Sequence, residues 1–212
     1  MQSSDRNALG EEAAAETAEL PLFPLNTVLF PGGPLPLRIF EPRYVDMVRR
    51  CMREGSAFGV VQILAGAEAG GLVERTALVG TSAQIVDFNS LADGLLGIQC
   101  LGARKFELRR RWRQADGLNM GEVRWLADEP AVALPAEYAH LGRLLRKILP
   151  ELGELYDAVE KRPDDAAWVG HRLAEILPFG LAEKQSWLEL GDPLERLAML
   201  APLVKPSAAR GT

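Results

Sequence analysis

The side chains able to do covalent chemistry are few and badly spaced for it. A serine nucleophile needs a base within hydrogen-bond reach. The nearest Lys/Ser pair in this 212-residue sequence is Lys184 and Ser186. Two residues apart on a predicted helix, they point to different faces and read as solvated helix residues. His140 and His171 are the only histidines, and Cys51 and Cys100 the only cysteines. Zinc takes three or four N, S or O ligands, and these four residues complete a tetrahedral set by count. Their spacing, however, contains no C-x-x-C or H-x-x-x-H pair, so no metal site is assigned. Each cysteine lies inside an apolar segment, as small core residues do. Two thiols in a reducing compartment fit better than one disulfide. No G-x-x-x-x-G-K-[ST] occurs, which excludes a P-loop for ATP. The sequence yields no catalytic residue and no cofactor.

Non-covalent chemistry has better candidates. The densest basic run is RKFELRRRWR, where Arg104, Lys105, Arg109, Arg110, Arg111 and Arg113 surround Phe106 and Trp112. Basic groups interleaved with aromatics can pair with phosphates and stack on the bases of single-stranded RNA. The bland alternative is a strand whose outward face is solvated and paired with acids elsewhere. The net charge of -5 favours that alternative. A second candidate is FEPRY, in which Glu41 and Arg43 can pair with each other or with Arg38 and pin a helix start. Its functional reading is that Arg38, Glu41, Arg43 and Tyr44 border a groove for a polypeptide. The third is apolar. Phe23, Leu29, Phe30 and Leu35 lie in a Pro-rich stretch and can form an exposed patch, against the commoner fate of core residues. Trp112 and Trp125 face the same choice.

These residues need elements to hold them. Composition is that of a soluble globular protein, 48% hydrophobic and 25% charged, and no apolar run reaches the ~18 residues of a membrane span. Residues 1–18 lack the basic and apolar regions of a secretory signal and read as a disordered tail, so a cytoplasmic location is expected. Prolines at 21, 24, 31, 34 and 36 forbid a helix and predict two short strands, near 20–30 and 35–39, broken at Pro31-Gly32-Gly33. Pro42 suits a first helical position. Tyr44, Val48, Cys51 and Met52 then share one face, and Gly55 supplies the stop. From 57 to 127 the pattern is of strands: AFGVVQIL, TALVGTSAQIVDF with a bend at Gly80, LLGIQCLG, RKFELRRRW and GEVRWLA. Short strands with turns between them suggest a rolled antiparallel barrel. After Pro130 the period becomes helical, with stripes over 138–149 and 169–177, then LAEKQSWLEL and a helix capped by Asp192. Residues 205–212 read as a loose end. The expected organisation is thus a strand-rich part over 19–128 and a helical part over 129–204.

Three stretches together carry a resemblance: LPLFPLNTVLFPGGPLPLRIFEPRY, GTSAQIVDF…DGLLGIQCLGARKFEL and LPFGLAEKQSWLELGDPLERLAML. Over roughly residues 19–204 the chain resembles the N-terminal, substrate-binding domain of Lon proteases, here as a free-standing protein. The resemblance implies an α+β fold, with a PUA-like pseudo-β-barrel followed by a C-terminal helical bundle. The family's ATPase and serine-lysine peptidase modules have no counterpart in the sequence, so its catalysis does not carry over. The expected function is a non-enzymatic module that binds polypeptide segments or a protein partner, as an adaptor for proteolysis or quality control. An RNA-binding module using residues 104–113 is the alternative.

Overall fold

The structure is a computed structural model that describes residues 16–68 and 72–204. Strand β1 (Thr17–Leu25) is followed by β2 (Pro34–Ile39), helix α1 (Pro42–Glu54), β3 (Phe58–Gly66), β4 (Val73–Thr76), β5 (Val79–Ser90), β6 (Leu96–Arg113) and β7 (Asn119–Trp125). Helices α2 (Ala139–Ile148), α3 (Ala166–Ile176), α4 (Leu181–Glu189) and α5 (Pro193–Leu200) come after. Strands β1, β7, β6, β5 and β3 pair in that order, and β3 returns to β1, so five strands close into a ring. Every pairing is antiparallel except β1–β3. Closure pairs the ring strands over part of their length, while the outer side of β2 and the end of β5 stay unpaired among the described residues. Strand β2 lies beside the first half of β6, and β4 beside the end of β3.

The boundaries differ from the sequence reading in places. The tail expected to 18 ends sooner, because Thr17 and Ala18 already pair with Arg124 and Val123. Residues 1–15 and 205–212 lie outside the described residues. The first strand stops at Leu25 instead of running to 30, and Val28, Leu29 and Phe30 turn inward as buried loop residues. The two strands expected over 95–112 are one, β6. It continues because both halves have partners, β2 along Leu96–Leu101 and β7 along Phe106–Arg113. Thr76 belongs to the short strand β4, and β5 begins at Val79.

Proline placement follows from hydrogen bonding. Gly102 N donates to Gly33 O at 2.8 Å, and the register continues through Leu35↔Cys100 and Leu37↔Ile98. Odd positions of β2 therefore face β6, while Pro34, Pro36 and Arg38 turn their backbone outward. A residue without an N–H is tolerated there and nowhere else in the strand.

Among the described residues three apolar clusters form, one within the strand ring around Leu22, Val61, Phe106 and Val123 and two against the helices. Tyr44, Met47, Val48 and Cys51 of α1 pack against Phe23, Phe58, Ile98 and Cys100; Met52, expected on this face, is exposed. The second of these two joins the helices through Leu141, Leu145, Val169, Leu173, Trp187 and Leu197, and takes in Phe30 from the first loop. That loop is held by a fully buried arginine. Arg172 Nη2 donates to Pro31 O at 2.9 Å and lies 3.0 Å from Glu175, whose other oxygen accepts from Tyr156 at 2.6 Å. Gly33 is required beside it, since a Cβ would run into Glu175 and sit 3.0 Å from Arg172 Nη2.

Gly80 has a comparable role in the ring. A Cβ there would lie 2.6 Å from the Phe106 ring and 2.8 Å from Val61, with the Val60 carbonyl closer still. Overpacking at such a site costs about 1–3 kcal/mol. Gly80→Ala should lower the unfolding free energy obtained from urea titration by that amount, whereas the same change at Gly94, with open space around it but positive φ, should cost about 1 kcal/mol.

Candidate functional site

The Pro-rich start and the FEPRY segment meet in one place. A cleft of about 290 Å³ opens along β2, lined by Phe23, Leu25, Pro36, Leu37, Arg38, Ile39, Phe40, Glu41, Tyr44 and Glu68. Its walls are apolar because β1 and β2 both present core-facing side chains here. Its rim is polar. Phe40 stands beside it 56% exposed, since the chain leaves β2 at Ile39 and enters α1 only at Pro42. Tyr44 stacks flat on Phe23, with ring centroids 3.9 Å apart, and burial raises its phenol above the usual tyrosine range. Arg43 pairs with Glu41 at 2.7 Å, donates to Gly117 O at 3.0 Å and lies over the Tyr44 ring. Arg38 pairs with Asp93 on the β5–β6 turn, and Glu68 accepts from Asn26 N at 2.8 Å.

The structure thus brings Arg38, Glu41 and Tyr44 to one cleft and separates others from it. Arg43, though paired with Glu41, lines a smaller cleft of about 160 Å³ with Arg111 and Trp112. Leu29 and Phe30 are core residues, not surface ones, because the loop after β1 folds under the sheet. Phe23 is also core, and only its edge reaches the cleft floor. Leu35 is half-buried against the α1 cluster. Phe40 is the aromatic that sequence reasoning missed; its signal was its place between a strand end and a helix-opening Pro42.

The basic strand is largely committed to partners within the chain. Lys105 is not a surface residue but is buried under the helices, where Nζ donates to Glu129, Leu188 O and Leu190 O at 2.7, 3.1 and 2.7 Å. Arg104, which plain strand alternation would put on the face of the buried Phe106, is exposed instead. It pairs with Glu16 at 3.0 Å over the Trp125 ring. The register shift between Thr81 and Ala83 accounts for the exchange. Arg109 pairs with Glu107 and Arg110 with Glu122, the latter over the Trp112 ring. Arg111 donates to the carbonyls of Val73 and Glu74, and Arg113 to that of Gly117. Of the two aromatics offered for base stacking, Phe106 is fully buried and Trp112 has an arginine over one face; Trp125, a candidate for an apolar patch, is likewise covered by Arg104 on one face.

The largest concentration of buried charge lies where the sheet meets the helices. Glu129, on the connector after β7, accepts from Lys105, from Arg196 at 2.6 and 2.8 Å, and bonds His171 at 3.2 Å. Burial alone would raise this carboxyl, but the hydrogen bonds and charges of His171 and Arg196 outweigh it and hold it well below the usual carboxylate range. Burial pushes the His171 imidazole down to about 4, so it is neutral at pH 7. The surplus positive charge lies against the C-terminal carbonyls of α4, the negative end of that helix dipole. A cavity of about 420 Å³ borders this cluster. Sequence reasoning passed over Glu129, Arg172 and Arg196. For the two arginines a signal existed, since Val169, Arg172, Leu173 and Ile176 follow the spacing of an apolar stripe, as do Pro193, Arg196, Leu197 and Leu200.

The remaining candidate reactive groups are buried or bonded elsewhere. Burial raises the Cys51 thiol and pushes Cys100 up to about 12. Lys184 donates to Glu175 O and Ser186 to Glu183 O, so they do not bond to each other. No group of three or more metal-ligating side chains gathers among the described residues, and no described helix is long and apolar enough to cross a membrane.

A largely antiparallel sheet followed by helices, in a mixed α/β arrangement, is the fold of Lon N-terminal domains. A Lon N-terminal domain protein from Xanthomonas campestris superimposes with a TM-score of 0.73 at 38% identity, covering 89% of this chain and 99% of that one. The N-terminal domain of a Mycobacterium avium complex Lon protease has the same fold, with a TM-score of 0.60 at 19% identity over 87% of this chain and 97% of that one. Residues 19–205 match the family described as the ATP-dependent protease La (LON) substrate-binding domain, and the chain belongs to that family. Among curated relatives, the Lon protease of Parabacteroides distasonis is 27% identical over 88% of this chain, and Lon protease 2 of Myxococcus xanthus 26% over 87%. The chain spans about a quarter of the length of each, 23%.

Acid should act on this fold through the junction cluster. His171 titrates near 6.5 when unfolded and at about 4 when folded, so between those values the unfolded chain binds the extra proton. Stability is then full above about pH 6.5 and falls as the pH drops toward 4; Glu129 adds to the loss below its ordinary 4.5. In urea titrations across pH 4–7, His171→Gln should flatten the limb between 6.5 and 4. Glu129→Gln, which leaves two buried cations without their counter-charge, should cost about 3–5 kcal/mol at pH 7.

Proposed function

We propose that this chain is a non-catalytic recognition module that binds apolar polypeptide segments through the β2 cleft. The observation that carries this is the apolar cleft itself, with an exposed aromatic, Phe40, at its mouth. Its volume lies at the lower edge of the range for small-molecule sites, about 300–1,000 Å³, and suits one large side chain with its backbone left outside. The family is described as a substrate-binding domain and the curated relatives are Lon proteases, which supports a polypeptide as the ligand. The sequence offers no P-loop for coupling to ATP. We read the strand-rich part over 19–128 as a PUA-like pseudo-barrel that carries the cleft. The part over 129–204 is read as a helical bundle that holds the barrel in shape. In this reading the protein acts in the cytoplasm as an adaptor that presents segments for proteolysis or quality control. The RNA alternative has less support, since Lys105 is buried and Arg104, Arg109 and Arg110 already pair with carboxylates.

The test is fluorescence polarisation of a labelled, chemically unfolded polypeptide, with single-stranded RNA as competitor. Saturable binding that RNA leaves intact is expected. Burial of a large aromatic is worth about 1.5–3 kcal/mol, so Phe40→Asp should weaken binding about tenfold or more. The pair Arg109→Glu and Arg110→Glu should leave it within about twofold, because surface pairs contribute little. Displacement of the signal by RNA, or undiminished binding by Phe40→Asp, would count against the cleft.

A further inference from the structure

Beside the cleft the sheet has two open edges, and they are built differently. Along β2 the outward positions Pro34 and Pro36 offer carbonyls but no N–H, which blunts that edge against an added strand. On the far side, β3 accompanies β5 only from Val60↔Thr81 to Phe58↔Ala83. From Gln84 to Ser90, β5 has no neighbour beyond it among the described residues. This stretch contains no proline and no lysine or arginine, and Val86 and Phe88 are 46% and 57% exposed. Asp87↔Gln99 and Asn89↔Gly97 use the backbone groups of β6 that point away from β2. Phe88, between them, therefore turns its N–H outward. That N–H is taken by the carboxylate of its own neighbour, Asp87 Oδ1, at 2.8 Å, a local substitute for a strand that is not there.

We infer that the Gln84–Ser90 edge of β5 takes up an extended polypeptide segment as an added strand, the segment being apolar with basic residues. This rests on the polypeptide-binding reading above. The apolar requirement comes from Val86 and Phe88. The basic one comes from Asp87, the sole charge on the edge, on a chain of net charge -5. The same charges disfavour a second copy as occupant, since twofold pairing would bring two Asp87 carboxylates into one short ladder. Phe88, Ile98 and Leu37 form one cross-strand row. Leu37 walls the cleft, two strand spacings or about 10 Å away, so an added strand extends the same face.

The experiment compares Phe88→Ala with Phe88→Pro, using polarisation of a labelled peptide of alternating Phe and Lys. Both variants lack the ring, and only the second lacks the outward N–H. Strand addition predicts that Phe88→Pro binds about five- to tenfold more weakly than Phe88→Ala, the worth of a lost hydrogen bond. With the unaltered protein, N-methylation of alternate peptide residues should abolish binding in one phase and spare it in the other. This second measurement decides the matter if Phe88→Pro fails to fold. Equal binding by the two variants, or equal effects of the two methylation phases, while Phe40→Asp still weakens binding, would overturn strand addition and leave the cleft reading standing. No peptide binding by the unaltered protein would overturn both.

Discussion

The carboxylate of Glu129 is the contact on which the relation of sheet to helices depends. It collects Lys105 from β6, Arg196 from α5 and His171 from α3, so three elements remote in sequence converge on one connector residue. A buried ion cluster is weak evidence of net stability, because desolvation offsets most of its Coulomb energy. Its worth lies in exclusiveness. Lys105 also donates to Leu188 O and Leu190 O, and Arg196 to Trp187 O and Leu190 O, so the end of α4 can dock in one position only. Any other packing of the helices would leave charges buried and unpaired.

A second buried arginine does for the N-terminal loop what Arg196 does for the connector. Arg172 reaches out of α3 to the carbonyl of Pro31, and Gly32 and Gly33 keep the space clear of side chains. With that turn fixed, β2 starts in register beside β6, and Ile39 and Phe40 arrive at the head of α1. The cleft along β2 is therefore set at one end by a helix more than a hundred residues later in the chain. At its other end the Tyr44–Phe23 stack joins α1 to β1 directly.

Much of this architecture was legible because it rests on local patterns. Pro42 and Gly55 delimit α1, Asp165 and Asp192 cap α3 and α5 with their side chains, and the β-branched runs mark the strands. What escaped depended on tertiary choices that a pattern does not encode. Leu29 and Phe30 have the same types and neighbours as a surface patch would; only the folding of the loop under the sheet makes them core. Lys105 looks like one of six basic residues until α4 and α5 cover it. The strand break expected near Gly102 vanished because β2 and β7 support β6 in succession. The buried arginines were readable in principle, since each occupies an apolar-stripe position of its helix, where a charge demands a partner. Arg172 finds Glu175 on its own helix, whereas the partner of Arg196, Glu129, lies in irregular chain and carried no such mark.

The distribution of charge and proline sets the β2 end of the sheet apart from the rest. Around β6 and β7 the arginines are neutralised by Glu16, Glu107 and Glu122, and Arg111 covers the carbonyls of β4. Those contacts satisfy the polar groups of that part of the sheet within the chain. At the β2 end the polar groups are fewer and the apolar ones incompletely covered, because α1 is a single short helix over strands β2, β6 and β5. Leu37 and Ile98 fall beneath it, and Phe40 and Phe88 do not. Prolines then close β2's outer edge while β5's stays open. The helical part shares none of these residues and bears on the β2 end through the Arg172 contact to Pro31.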